Sequence, residues 1–102
     1  MNNQRRKNLK QLIKQLEELS ERIEQFKEDA EEIATAIEEI RDEEEESFDN
    51  LPEGIQESER GERMQEVIDQ LESAIDQLND MDTDEMTSYI SDAIESIEEA
   101  IN

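Results

Sequence analysis

The chain has 102 residues, a length that suits one small domain. It contains 32 Asp and Glu against 10 Lys and Arg, and the resulting net charge of −22 disfavours nucleic acid or an anionic membrane as the main partner. It contains no Cys and no His, so disulfides, Cys-type zinc sites and thiolate or imidazole catalysis are excluded. No apolar run suits a transmembrane helix, and the polar, basic start lacks the apolar core of a signal peptide. We therefore expect a cytoplasmic protein that is not an enzyme and needs no cofactor.

The first predicted element is one long helix over residues 5–47. Its apolar residues recur at alternating steps of three and four, the heptad pattern of a helix that buries a narrow seam. Low hydrophobicity with high net charge is typical of disorder, but a disordered chain has no reason to keep this register. Together with Ala30, the predicted apolar seam consists of Leu9, Leu12, Leu16, Leu19, Ile23, Phe26, Ile33, Ile37 and Ile40.

A turn is predicted at 48–58, because this segment contains Pro52 and Gly54, two strong helix breakers. A second helix follows over 59–79. Its predicted apolar side is wider than one seam and consists of Met64, Val67, Ile68, Leu71, Ala74, Ile75 and Leu78.

The last predicted helix covers 83–101, after a break or kink at 79–83. Asp82 is followed three residues later by Glu85, a spacing typical of a capping box at a helix start. The apolar residues of this helix are Met86, Tyr89, Ile90, Ala93, Ile94, Ile97, Ala100 and Ile101.

These elements predict an all-α fold in a single helical domain over 1–102, arranged as a long helical hairpin or antiparallel coiled coil. Residues 1–27 carry a net +3 and residues 28–102 a net −25, so a hairpin lays the basic start beside the acidic last helix. A two-helix hairpin buries little core, and we therefore expect a homodimer. A three-helix bundle and a dimer through the seam of the first helix remain alternatives.

The carboxylates are the abundant functional groups. On the second helix they follow steps of three and four, which places them along one side, with neighbours about 5–6 Å apart. DNA phosphates have a similar spacing, so such a ridge can imitate a duplex backbone, whereas the simpler alternative is a solvated face that maintains solubility. The predicted partner-binding acidic face consists of Glu38, Asp42, Glu45, Glu62, Glu66, Asp69, Glu72, Asp76 and Asp80.

Two short patterns of acidic residues are similar to metal-binding motifs. The Glu-Glu-x-x-Glu motif at 17–21 and the Glu-x-x-Asp motif at 66–69 are similar to the Mg²⁺ ligands of helical nucleotide pyrophosphatases, but 32 acidic residues make such matches common. Alternating acids at 80–84 begin like a calcium loop, yet Glu85 stands where the loop needs Gly and Ser91 where it needs Glu. We therefore assign no catalytic and no metal-binding residue.

The segment over 48–78 begins Phe48-Asp-Asn-Leu-Pro and is followed by helices in which Ile-Asp or Ile-Glu pairs recur. This segment resembles short acidic proteins of bacteriophages and their hosts. The resemblance implies a small accessory or counter-defence protein of the host cytoplasm, similar in size and charge to acidic DNA mimics. Our first hypothesis is a non-enzymatic inhibitor that mimics DNA and blocks a basic, DNA-binding host protein. The alternative is a coiled-coil scaffold or assembly protein that acts through its apolar seam.

Overall fold

The computed structural model describes all residues from Met1 to Asn102. The all-α class is confirmed, with helices and no strand. None of these helices has the length and apolar composition that crossing a membrane requires. In chain order the helices are α1 (Asn3–Asp49), α2 (Glu53–Gln56), α3 (Glu59–Asn79) and α4 (Thr83–Ile101).

The long helix α1 extends two residues beyond the predicted bounds at each end. At its start, the Arg5 amide donates a hydrogen bond to Oδ1 of Asn2 at 2.8 Å, so Asn2 satisfies one of the free amides of the first turn. At its end, Gln56 Nε2 donates to the carbonyl oxygens of Phe48 and Leu51, each at 3.1 Å. The short helix α2, inside the predicted turn, therefore supplies a side chain that caps the carboxyl end of α1.

The chain forms two compact units. Unit 1 comprises 1–28 and 82–102, and unit 2 comprises 29–81. Unit 1 contains 12 carboxylates and seven basic side chains, a net charge of −5, whereas unit 2 contains 20 carboxylates and three arginines, a net charge of −17. The charge of the protein is therefore concentrated in unit 2, and the expectation of one domain over 1–102 stays a prediction.

In unit 1, the first part of α1 lies beside α4. Arg6 Nε donates to the carbonyl oxygen of Ile101 at 3.3 Å, and Lys27 Nζ pairs with Asp84 Oδ1 at 3.3 Å. The two helical segments therefore run in opposite directions within this unit. A coiled coil through the complete chain stays a prediction.

The start of α4 is capped as its sequence predicts. Oδ1 of Asp82 accepts a hydrogen bond from the Glu85 amide at 2.9 Å, which is the helix-capping half of a capping box. The Glu85 carboxylate accepts a hydrogen bond from the hydroxyl of Tyr89 at 3.3 Å, one turn further along.

In unit 2, α2 and α3 meet at Gly61. This glycine is buried, and a Cβ at its position would lie 2.0 Å from the carbonyl oxygen of Gln56. Only a residue without a side chain permits this approach of α2 to α3. Further along α3, Ile68 and Ile75 are 2% and 4% exposed, so the buried side of α3 is centred on the two isoleucines.

The buried core of the protein is thin. Only four hydrophobic residues are buried, namely Ile13, Ala34, Ile68 and Ile75. Thr83 at the start of α4 is also buried. Many of the large apolar side chains are therefore exposed on the faces of the helices.

Candidate interaction surfaces

The predicted apolar seam of α1 separates into two rows in the structure. One row is half-buried and consists of Leu9, Leu16, Ile23 and Ile37, together with Ala30. The other row is exposed, with accessible fractions of 47, 38, 54, 56 and 52% for Leu12, Leu19, Phe26, Ile33 and Ile40. In the single chain, therefore, only half of the predicted seam is partly buried, and the complete seam stays a prediction.

The exposed row, here called the α1 stripe, has a regular spacing. Its five members stand seven residues apart, a distance of about 10.5 Å along a helix, and so they share one side of α1. Leu12, Leu19 and Phe26 belong to unit 1, and the same spacing continues at Ile33 and Ile40 on the part of α1 in unit 2. Since α1 is a single helix, the register of the stripe follows from the helical period alone.

Other residues occupy the inward side of α1 in place of the stripe. Ile13 and Ala34 are buried, at 8% and 3% exposure, while Ser20, Lys27 and Arg41 are half-buried on the same side. Small side chains permit close helix packing, and long basic side chains bury their stems while the charged ends stay accessible.

This inward side does not follow from the spacing of the apolar residues, because it also contains Ser20, Lys27 and Arg41. The available signal was Ile13, an apolar residue directly after Leu12 that does not fit the alternation of three and four.

The α1 stripe adjoins an open apolar groove in unit 1. Leu12, Leu16 and Leu19 line it together with Ile97 of α4, and its volume is about 400 Å³. Gln15 and Arg22 also line this groove. Two further apolar residues of α4, Met86 and Tyr89, are 50% and 67% exposed, so unit 1 presents several apolar side chains to solvent.

The nine residues of the predicted acidic face all belong to unit 2. Seven of them are exposed, namely Asp42, the five on α3 and Asp80 directly after α3, whereas Glu38 and Glu45 are half-buried. Few basic groups lie near them: Arg63 Nη1 is 3.9 Å from Glu66 Oε2, and both side chains are largely exposed. On the same helix, Gln65 Nε2 donates to Asp69 Oδ1 at 3.2 Å. The five α3 carboxylates and Asp80 therefore form an exposed ridge that is little neutralised.

Arg41 is the basic group most affected by these acids. Its guanidinium donates from Nε and Nη2 to Asp42 Oδ1 at 3.2 and 3.0 Å, and these bonds raise the pKa of Arg41. The charges of Asp42, Glu45 and Glu72 act in the same direction.

The carboxylates are dispersed along the helices. No three Asp or Glu side chains converge in an arrangement that could hold a metal ion. The pyrophosphatase-like and calcium-like patterns of the sequence therefore do not correspond to a preformed cluster of ligands in the structure.

No protein family model matches the chain, and no curated protein or solved structure is significantly similar to it. The resemblance of 48–78 to phage proteins stays a prediction. The α1 stripe and the acidic face are the two extended surfaces from which a function can be inferred.

Proposed function

We propose that the protein is a non-enzymatic assembly protein that forms a homodimer by packing the α1 stripes of two copies against each other as a coiled coil. The observation that carries this proposal is the exposure of five large apolar side chains at intervals of seven residues, each 38–56% accessible. Five half-exposed side chains of this size present about 500 Å² of apolar surface. A patch of that extent with heptad spacing fits another helix.

The thin core supports the same proposal. Four buried hydrophobic residues are few for a stable chain of about 100 residues, since small domains need a sufficient core or an oligomeric partner. A second copy covering the α1 stripe would bury Leu12, Phe26 and Ile40 and extend the core of each chain. The half-buried row that includes Leu9, Leu16 and Ile23 would then lie between the interior of its own chain and the contact with the second copy.

The test is the oligomeric state of the purified protein. Sedimentation equilibrium should give twice the mass of one chain for the wild-type protein at micromolar concentration. Phe26→Glu places a charge in the middle of the α1 stripe and should give a monomer, because a buried unpaired carboxylate opposes association. Far-UV circular dichroism should show that this variant keeps its helices, since Phe26 is 54% exposed in the single chain.

Thr35→Glu is the matched control. Thr35 is exposed and lies on the side of α1 turned away from the stripe, so the same added charge should leave the dimer intact. A monomeric wild-type protein up to about 100 µM, or equal masses for Phe26→Glu and the wild-type protein, would refute the proposal.

A second function is favoured by a separate observation, the exposed carboxylate ridge of α3, along which the one salt bridge is the exposed Arg63–Glu66 pair. In this proposal the protein inhibits a basic, DNA-binding host protein, such as a nuclease or repressor, by occupying its DNA site. Charge complementarity would accelerate binding and make it sensitive to salt. The predicted cytoplasmic location and phage origin belong to this proposal and stay predictions.

The experiment for this second function compares two fourfold neutralised proteins in the displacement of labelled duplex DNA from a restriction endonuclease and from a repressor. The test variant combines Glu66→Gln, Asp69→Asn, Asp76→Asn and Asp80→Asn in unit 2. The control removes the same charge from unit 1 with Glu17→Gln, Glu21→Gln, Asp92→Asn and Glu95→Gln. Displacement should be lost in the test variant alone. Equal displacement by both variants, or none by the wild-type protein, argues against DNA mimicry.

A further inference from the structure

We propose that the two copies pack with their α1 helices antiparallel, so that the two Phe26 side chains meet on the twofold axis. This inference rests on the proposed homodimer and adds its direction and register. In this register, Leu12 lies against Ile40 of the partner subunit, and Leu19 lies against Ile33 of the partner subunit. The occupant of the α1 stripe is therefore the same stripe on a second copy.

The arrangement of the α1 stripe permits this register. Phe26 is the middle member, with two apolar residues at equal intervals on each side, so reversing one helix about Phe26 aligns all five side chains. An interface with a twofold axis requires such self-complementarity. A parallel pair aligns the same five positions, and the apolar residues alone therefore do not determine the direction.

The charges next to the stripe favour the antiparallel direction. Arg22 and Asp29 flank the stripe on the same side of α1 as Gln15. In the antiparallel register, Arg22 of each copy faces Asp29 of the partner subunit, which makes two attractive pairs. In a parallel pair the twofold axis runs along the helices and puts this side of the two copies on opposite edges of the interface, so neither attractive pair forms.

Charge along the full length of α1 favours the same direction. The cations near its start, five within residues 5–14, would lie along the acidic run at 38–46 of the partner subunit. In a parallel pair, the cations at the start of one α1 would instead face those of the other, and the acidic runs would face each other.

Cysteine cross-linking tests the direction, because the chain has no Cys of its own. Leu12→Cys and Ile40→Cys proteins are prepared separately, one with a mass tag, and oxidised alone and as a mixture. In the antiparallel dimer, positions 12 of the two copies are about 40 Å apart, because 28 residues of helix separate positions 12 and 40. A disulfide needs Cα atoms within about 7 Å, so only the mixture should give covalent dimers.

The outcomes separate this inference from the proposed homodimer. Covalent dimers of Leu12→Cys alone, without mixed species, would show a parallel dimer and overturn the direction while keeping the proposed function. A protein that sediments as a dimer but cross-links in neither experiment would show that the stripe is not the interface. A monomer at every concentration would overturn both proposals.

A charge exchange provides an independent readout of the register. Arg22→Glu should weaken dimerisation roughly tenfold, because each copy then faces Asp29 of the partner subunit with a like charge. Adding Asp29→Arg to this variant should restore most of the affinity, since the two pairs are attractive again with the charges at positions 22 and 29 exchanged. Equal affinities for the wild-type protein and both variants would overturn the register.

Discussion

Gly61→Ala tests the close contact between α2 and α3 on which the end of α1 depends. The added methyl group would lie 2.0 Å from the Gln56 carbonyl oxygen and 2.5 and 2.7 Å from its carbonyl carbon and Cα. These atoms belong to the backbone, so no side-chain rotation relieves the clash. A normal van der Waals contact of about 3.4–4 Å requires α2 to move away from α3 by at least about 1.4 Å.

The expected cost follows from two opposing effects. Overpacking a closely packed site costs about 1–3 kcal/mol, and a clash with backbone belongs at the upper end of this range. Alanine is favoured over glycine in a helix by about 1 kcal/mol, which offsets part of the cost. We therefore expect Gly61→Ala to lower the free energy of unfolding by about 2 kcal/mol, or the melting temperature by about 10 °C in a domain of this size.

Urea unfolding followed by circular dichroism, at one fixed protein concentration, measures this difference. Gly54→Ala is the matched control, because a Cβ there meets no atom within 4 Å and should stabilise the protein by up to about 1 kcal/mol. If Gly61→Ala were as stable as Gly54→Ala, the close packing of α2 against α3 would be refuted.

Three further predictions concern capping and charge. Gln56→Ala and Gln56→Glu should both destabilise by about 1–2 kcal/mol in urea unfolding, because neither side chain can donate to the carbonyls of Phe48 and Leu51; a fully stable Gln56→Glu protein would contradict the cap. Asp82→Ala should cost about 1 kcal/mol in the same assay through loss of the bond from the Glu85 amide, whereas unchanged stability would speak against this cap. Raising NaCl from about 50 to 500 mM should tighten self-association, since each copy carries −22 and salt screens the repulsion. Weaker self-association at high salt in sedimentation experiments would contradict this expectation. Displacement of DNA from a basic partner should, in contrast, become weaker as the salt concentration rises.

The helices themselves could be predicted from local sequence. The alternation of apolar residues, Pro52 in the turn and Asp82 before the last helix are short-range signals, and each acts within a few residues of chain. The observed bounds of α1, α3 and α4 accordingly lie within two residues of those expected. The short helix α2 was missed because its single turn has no periodic pattern and depends on the contact with Gly61.

The acidic face was predictable as a set of exposed carboxylates, because charged residues at helical spacing face water unless they are paired. Its concentration in one compact unit was not evident from the sequence. Residues 29–81 are grouped by contacts between distant positions, and their charge of −17 is a property of that grouping.

The sequence by itself determined that the chain is helical, that α1 has a heptad repeat and that the net charge is −22. Tertiary structure decided which side of α1 is buried. Two rows of apolar residues satisfy the heptad pattern equally well, but the row of Leu9, Leu16 and Ile23 turns inward next to Ile13 and Ala34, while the α1 stripe stays accessible. The physical reason is that periodicity fixes the angle between side chains on one helix, whereas burial depends on where small residues let another helix approach.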